Sequence, residues 1–140
     1  MRSCRLPFAL NMMKRFLILT AIIEAATGLG LIAVPAIVVR LLFGAEISGA
    51  SIPLGRVAGA ALLALGMVCL LARDDTQSRT ARGLVVAMLI YNVVATAVLA
   101  FAGVGLGLHG VVLWPAVVLH AAMGVWCGAC LRRSTQNVTN

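Results

Sequence analysis

Four long apolar stretches separated by short polar ones constrain this chain more than any other feature. Residues 16–39, 55–72, 83–102 and 109–131 carry between them just two fully charged side chains, Glu24 and Arg56. Each stretch, wound as an α-helix rising about 1.5 Å per residue, is long enough to cross a hydrocarbon layer of roughly 30 Å. The expected fold is therefore all-α: an integral membrane four-helix bundle over residues 16–131. Composition agrees, with 62% hydrophobic residues, 11% charged residues and a mean hydropathy of +1.08. A small water-soluble domain has too much surface to cover with so few polar side chains.

A cleaved signal peptide is the rival reading of the first stretch, with Ala25 and Ala26 as small cleavage-site residues. The apolar run continues well past the roughly 15 residues that such a signal uses, which favours a retained span. Met12-Met13-Lys14-Arg15-Phe16 resembles a natural start, so residues 1–15 form an amino-terminal cytoplasmic segment in which 1–11 read as an upstream extension. Pro7 and mixed polarity argue against a stable helix there, and Cys4 would carry no function. Gly49, Pro53, Ser48 and Ser51 mark Ala45–Leu54 as an exposed connection. Gly55, Gly59 and Gly66 on the second span are placed to let another helix approach closely. Residues 73–82 form the most polar segment, with Asp75 or Ser78 as the cap of the following helix. Residues 103–107 read as a short Gly-rich turn, and 132–140 as a polar cytoplasmic tail, disordered from Ser134 onward.

The net charge of +7 does not point to nucleic acid. Its basic residues lie in short clusters beside apolar runs, not in a stripe with interleaved aromatics. Arg2, Arg5, Lys14 and Arg15 precede the first span, Arg73, Arg79 and Arg82 fill the middle loop, and Arg132 and Arg133 follow the last span. Lys and Arg accumulate on the cytoplasmic side of membrane proteins, so both the N and C termini are expected in the cytoplasm. Membrane lipids are the expected surroundings, anionic head groups the expected contact of the basic clusters, and a bacterial inner membrane the expected location.

Counted inward from the flanking arginines, Glu24 lies about 14 Å deep, Asn92 about 15 Å and His120 about 18 Å, so three helices each place a polar residue near the bilayer midplane. An ionised group at that depth costs at least a few kcal/mol unless it is paired or hydrated, which should turn these side chains into the bundle. Thr20, Glu24 and Thr27 share a helical face, as do Asn92 and Thr96, and His120, Gly124 and Cys127. The candidate binding cluster is accordingly Glu24, Asn92, His120, Thr27 and Arg56. Arg56 either reaches outward to head groups or turns toward Glu24. Tyr91 adds a hydroxyl to the cluster or faces lipid. The structural alternative for all of them is interhelical hydrogen bonding, worth about 1 kcal/mol per bond. Trp114 and Trp126 are read as interfacial anchors.

Cys69, Cys127 and Cys130 fall within or at the ends of apolar runs, which favours inert buried thiols over a disulfide framework. Cys127-Gly128-Ala129-Cys130 has the spacing of redox and zinc motifs, yet it follows no strand and lacks a fourth ligand. No phosphate-cradling Gly-rich loop with its lysine is present, and no nucleophile stands beside a base outside the spans. Enzymatic activity is therefore ranked last, no catalytic or metal residue is assigned, and the cofactor is left unknown.

Arg56-Val57-Ala58-Gly59 followed by Ala60-Ala61-Leu62-Leu63-Ala64-Leu65-Gly66, set within four compact spans and short loops, resembles the DoxX-like group of small bacterial membrane proteins. The resemblance covers most of the chain from Phe16 to Leu131. It implies a four-helix bundle whose relatives include accessory subunits of quinone-linked or redox systems, and it supplies no catalytic residues to carry over. The leading expectation is an accessory or hydrophobic-ligand-binding component, taking a quinone or lipid or supporting a larger membrane complex. The alternative is a proton-coupled small transporter acting as a homo-oligomer, and an intramembrane acid–base enzyme using Glu24 and His120 comes third.

Overall fold

Proline positions account for where the helices begin. The structure is a computed structural model and describes residues 5–136, with side chains from Asn11 to Arg132. Cys4 and the last residues of the tail, 137–140, lie outside the described residues. In chain order the helices are α1 (Arg5–Ala33), α2 (Pro35–Phe43), α3 (Ser51–Ala72), α4 (Arg79–Val104) and α5 (Leu113–Gln136). Pro35 opens α2, and Pro7, Pro53 and Pro115 each sit third in their helices. The first N–H groups of a helix have no intrahelical acceptor, so a residue lacking N–H costs little there.

This rule corrects four readings of the sequence. The first apolar run is not one helix from Phe16 to Val39: Val34 leaves helical geometry at φ −137° and ψ 59°, because Pro35 cannot donate back into the preceding turn. Pro7 does not prevent a helix, since it falls in the first turn of α1. The second span starts at Ser51, four residues before Gly55, with Pro53 inside it. Residues 109–112 belong to a connection, and α5 starts at Leu113. At its other end α5 extends through Ser134 to Gln136, so this part of the tail is helical.

Four segments are long and apolar enough to cross a membrane: Asn11–Ala33, Ser51–Ala72, Arg79–Val104 and Leu113–Arg132. Their outer faces carry exposed Leu29, Val57, Leu71, Val98, Val104, Val118 and Val125. A surface this apolar is stable against lipid tails and would aggregate in water. The chain is a small multi-pass all-α membrane protein.

The helices pair as α1 with α3 and α4 with α5, and α1 makes a lighter contact with α5. The first pair is set by backbone proximity. A Cβ at Gly28 would lie 2.6 Å from the Gly59 carbonyl oxygen, and one at Gly59 would lie 2.6 Å from that of Gly28. About two helical turns from that crossing, toward the start of α1, Gly66 packs over Ala21 and Ala25. The two pairs meet in a core of Met13, Phe16, Leu17, Ala21, Cys69, Val85, Met88, Met123, Cys127 and Cys130. The Trp126 ring stacks obliquely on Phe16 at 5.9 Å, and its buried Nε1 has no hydrogen-bond partner among the described residues. That indole does not reach toward head groups as its sequence position suggested, whereas Trp114 is exposed.

Each end of the bundle is fastened differently. At one end α2 terminates on Gly44 at φ +70°, and the Val112 amide donates to the Leu41 carbonyl at 3.1 Å. Gly110 packs directly on the Leu41 and Leu42 carbonyls, leaving no room for a side chain. At the other end Ser78 caps α4, its hydroxyl accepting from the Ala81 amide at 3.0 Å. Lys14 bonds Asp74 at 2.6 Å, and Arg73 approaches the same carboxylate at 3.2 Å.

The Lys14 hydrogen bond is the main reason that the Asp74 carboxyl is held below its ordinary pKa, with the charges of Lys14 and Arg73 acting in the same direction. A depressed carboxyl pKa favours the folded arrangement above the ordinary value, and that contribution disappears as pH falls through the lowered one. Full exposure keeps the effect small. Carbon-13 NMR titration should find Asp74 titrating below an ordinary aspartate and moving back up in Lys14→Met; an unshifted Asp74 would contradict the pairing.

Candidate functional site

The buried face of α1 runs through Met13, Phe16, Leu17, Thr20, Ala21, Glu24 and Gly28, a spacing of three and four residues. This places Glu24 between helices at 4% exposure, with Thr20 one turn away at 1%. Gly66 of α3 comes close to the Glu24 Cβ and thereby covers one side of it. Thr27 falls off this face. The step from Glu24 that stays on it leads to Gly28, so Thr27 is exposed and takes no part in the cluster.

Two residues of α4 meet Glu24 and α5 in different ways. Tyr91 is half-buried and donates its hydroxyl to Glu24 Oε2 at 3.4 Å. Its ring stands edge-on to the His120 ring at a centroid separation of 5.6 Å, with an angle of 82° between the planes. Asn92, 2% exposed, donates from Nδ2 to the Met88 carbonyl at 2.8 Å and holds Oδ1 2.9 Å from His120 Nδ1. The Thr96 hydroxyl donates to the Asn92 carbonyl at 2.7 Å. Gly124, one turn from His120 on α5, lies against the Asn92 Cβ and lets the two helices approach.

Glu24, Asn92 and His120 are thus brought into one cluster, with Tyr91 as the residue that joins them. Sequence position alone left Tyr91 undecided because it sits about 100° around the helix from Asn92. The length of the phenol resolves this, since its hydroxyl spans from α4 to α1 while the ring edge serves α5. Thr20 was read as a neighbour of Glu24 on the helix face, and its buried hydroxyl has no hydrogen-bond partner among the described residues. Arg56 is exposed on α3, about 15 Å along the helix from the Gly66 contact with Glu24. It does not join the cluster.

The chemistry available here is hydrogen bonding and proton placement. A carboxyl group, a phenol, an imidazole and an amide meet among apolar side chains, where a polar group left without a partner is costly. Cys69, Cys127 and Cys130 are buried in the adjoining core. Among the described residues no group of three or more His, Cys, Asp or Glu side chains converges in a way that could hold a metal ion.

Comparison with protein-family models, with curated proteins and with solved structures finds no match to this chain. The class is set by its own geometry: a multi-pass helical membrane protein with a hydrogen-bonded polar cluster buried where its spans meet.

Proposed function

We propose that the protein is an accessory or hydrophobic-ligand-binding component of a membrane system, with both ends in the cytoplasm, and that Glu24, Tyr91 and His120 hold the polar head of a quinone-like or lipid-like molecule. One observation carries this reading. Glu24 is 4% exposed between spanning helices and has a single hydrogen bond among the described residues, a long one from Tyr91. A carboxyl group kept deep in a membrane bundle for packing alone would be better satisfied than this. Tyr91 and His120 are half-buried, and at this depth a half-buried face looks into hydrocarbon, the phase in which such a ligand is dissolved. The resemblance to DoxX-like accessory proteins supports the same class of role.

Native mass spectrometry of the protein extracted with its lipids should detect a retained hydrophobic molecule. Glu24→Gln keeps the shape of the side chain, so the bundle should remain folded by circular dichroism while retention falls about tenfold, the effect of losing one charge-assisted or buried hydrogen bond. Wild-type retention in that variant would remove the proposed site. A buried carboxyl also suits proton coupling in an oligomeric small transporter. Substrate-dependent proton flux in vesicles, abolished by the same substitution, would put that reading in place of ligand binding.

A further inference from the structure

The hydrogen bonds around His120 fix what kind of head group the cluster can accept. Asn92 Nδ2 is committed to the Met88 carbonyl at 2.8 Å. Turning the amide over would set two oxygens against each other, so the atom facing His120 Nδ1 at 2.9 Å is the Asn92 oxygen. An amide oxygen only accepts, and the hydrogen of this contact therefore sits on Nδ1. The neutral ring is left with a lone pair at Nε2 and nothing to donate from it. Nε2 makes no hydrogen bond among the described residues, and it is not among the polar atoms sealed from the surface without a partner. Part of its surface is therefore left uncovered by the protein. The Tyr91 hydroxyl hydrogen is directed at Glu24 Oε2.

We infer that the site selects a hydrophobic molecule whose head donates an O–H to His120 Nε2. Isoprenoid alcohols and hydroquinones meet this requirement. A quinone, ketone or ether of the same skeleton offers only acceptors and would set one lone pair against another. The inference rests on the ligand-binding reading above and narrows it, replacing the general quinone-or-lipid expectation with a donor head group. Asn92 acts here as a positioning residue, because it sets the ring's tautomer without touching the ligand.

Full-length protein in lipid nanodiscs can be titrated with two matched pairs: farnesol against farnesyl methyl ether, and a decyl-substituted hydroquinone against the corresponding quinone. The members of each pair share a tail and differ at the head, where one carries an O–H and the other only acceptors. Donor forms should bind about tenfold more tightly than their partners, the worth of one well-made hydrogen bond against a lone-pair clash. Comparison of the two donors then tells whether the alcohol or the hydroquinone is the better fit. Nitrogen-15 NMR of histidine-labelled protein gives an independent readout. Nε2 of His120 should resonate as an unprotonated ring nitrogen and shift on adding a donor ligand, but not on adding its partner. In Asn92→Leu the tautomer is released, and the preference should shrink toward equality while both forms still bind. Equal binding within each pair, or tighter binding of the acceptor-only forms, would overturn the donor rule and leave the binding site standing. Absence of any binding that distinguishes wild type from Glu24→Gln would overturn both.

Discussion

Gly59→Val is expected to lower the stability of the folded bundle by about 3 kcal/mol, at the upper end of what overpacking ordinarily costs. The reason is that the new atoms have nowhere to go. A Cβ at this position would lie 2.6 Å from the Gly28 carbonyl oxygen, 2.8 Å from the Leu31 Cβ and 3.0 Å from the Ile32 amide nitrogen. Two of these are backbone atoms of α1, which cannot rotate aside as a side-chain tip could. Relief requires α1 and α3 to separate, and separation removes the van der Waals contacts that hold helices together in lipid, where no hydrophobic effect drives association. Gly28→Val should behave alike, since its Cβ would meet Gly59 and Leu63 backbone atoms. Gly83→Ala and Gly128→Ala are the controls. Neither site has an atom within 4 Å of the added carbon, so each should change stability by less than about 1 kcal/mol, the ordinary helical difference between the two residues. Reversible unfolding in bicelles, followed by steric trapping, separates the two classes. If Gly59→Val were as stable as the controls, the close crossing of α1 and α3 would be wrong.

The spans were legible because hydrocarbon imposes a one-dimensional requirement. A segment must be long and apolar enough, and that can be counted along the chain. Residues 83–102 and α4 differ by a few residues at each end for this reason. Helix starts were less legible because proline was read as a mark against helix at Pro7 and Pro53 and passed over inside a span at Pro35 and Pro115. Pro7, Pro35, Pro53 and Pro115 all fall in first helical turns, where a missing N–H is harmless. Read with that rule, the sequence places the break at Val34 and the early start at Ser51.

Depth along the helices brought Glu24, Asn92 and His120 to one level, and the structure joins them. Depth says nothing of azimuth, and here Thr27 went astray and Tyr91 stayed undecided. Thr27 is three residues from Glu24, a step that also occurs on a shared face, but the buried stripe of α1 proceeds to Gly28 because that is where α3 needs a residue without a side chain. Tyr91 depended on side-chain reach, which periodicity does not measure. Arg56 was grouped with the cluster because a midplane carboxyl invites a cation. Its position near the start of α3 puts it too far along the axis, and its side chain is exposed. The tautomer of His120 was beyond sequence altogether, because it follows from how Asn92 orients against the Met88 carbonyl of its own helix.

A double-mutant cycle on Asn92 and His120 should show a coupling of about 1 kcal/mol, within the range found for interhelical polar pairs in membranes. His120→Leu leaves Asn92 Oδ1 buried against apolar groups, and Asn92→Leu leaves Nδ1 of His120 without its partner in either tautomer. Each single variant should therefore lose about 1–2 kcal/mol, the cost of an orphaned buried polar group moderated by the partners that a membrane helix finds when unfolded. The pair of leucines leaves no orphan from this bond, and the double variant should be less destabilised than the two losses added together. Met88 does not confuse the cycle, because its carbonyl keeps the backbone bond from residue 92 when the amide side chain is removed. With single losses of about 1–2 kcal/mol and a coupling of about 1 kcal/mol, the double variant should lose about 1–3 kcal/mol, against about 2–4 kcal/mol if the two effects simply added. Strict additivity would show that no hydrogen bond links Asn92 Oδ1 to His120 Nδ1, and the preference for a donor head group would lose its physical basis with it.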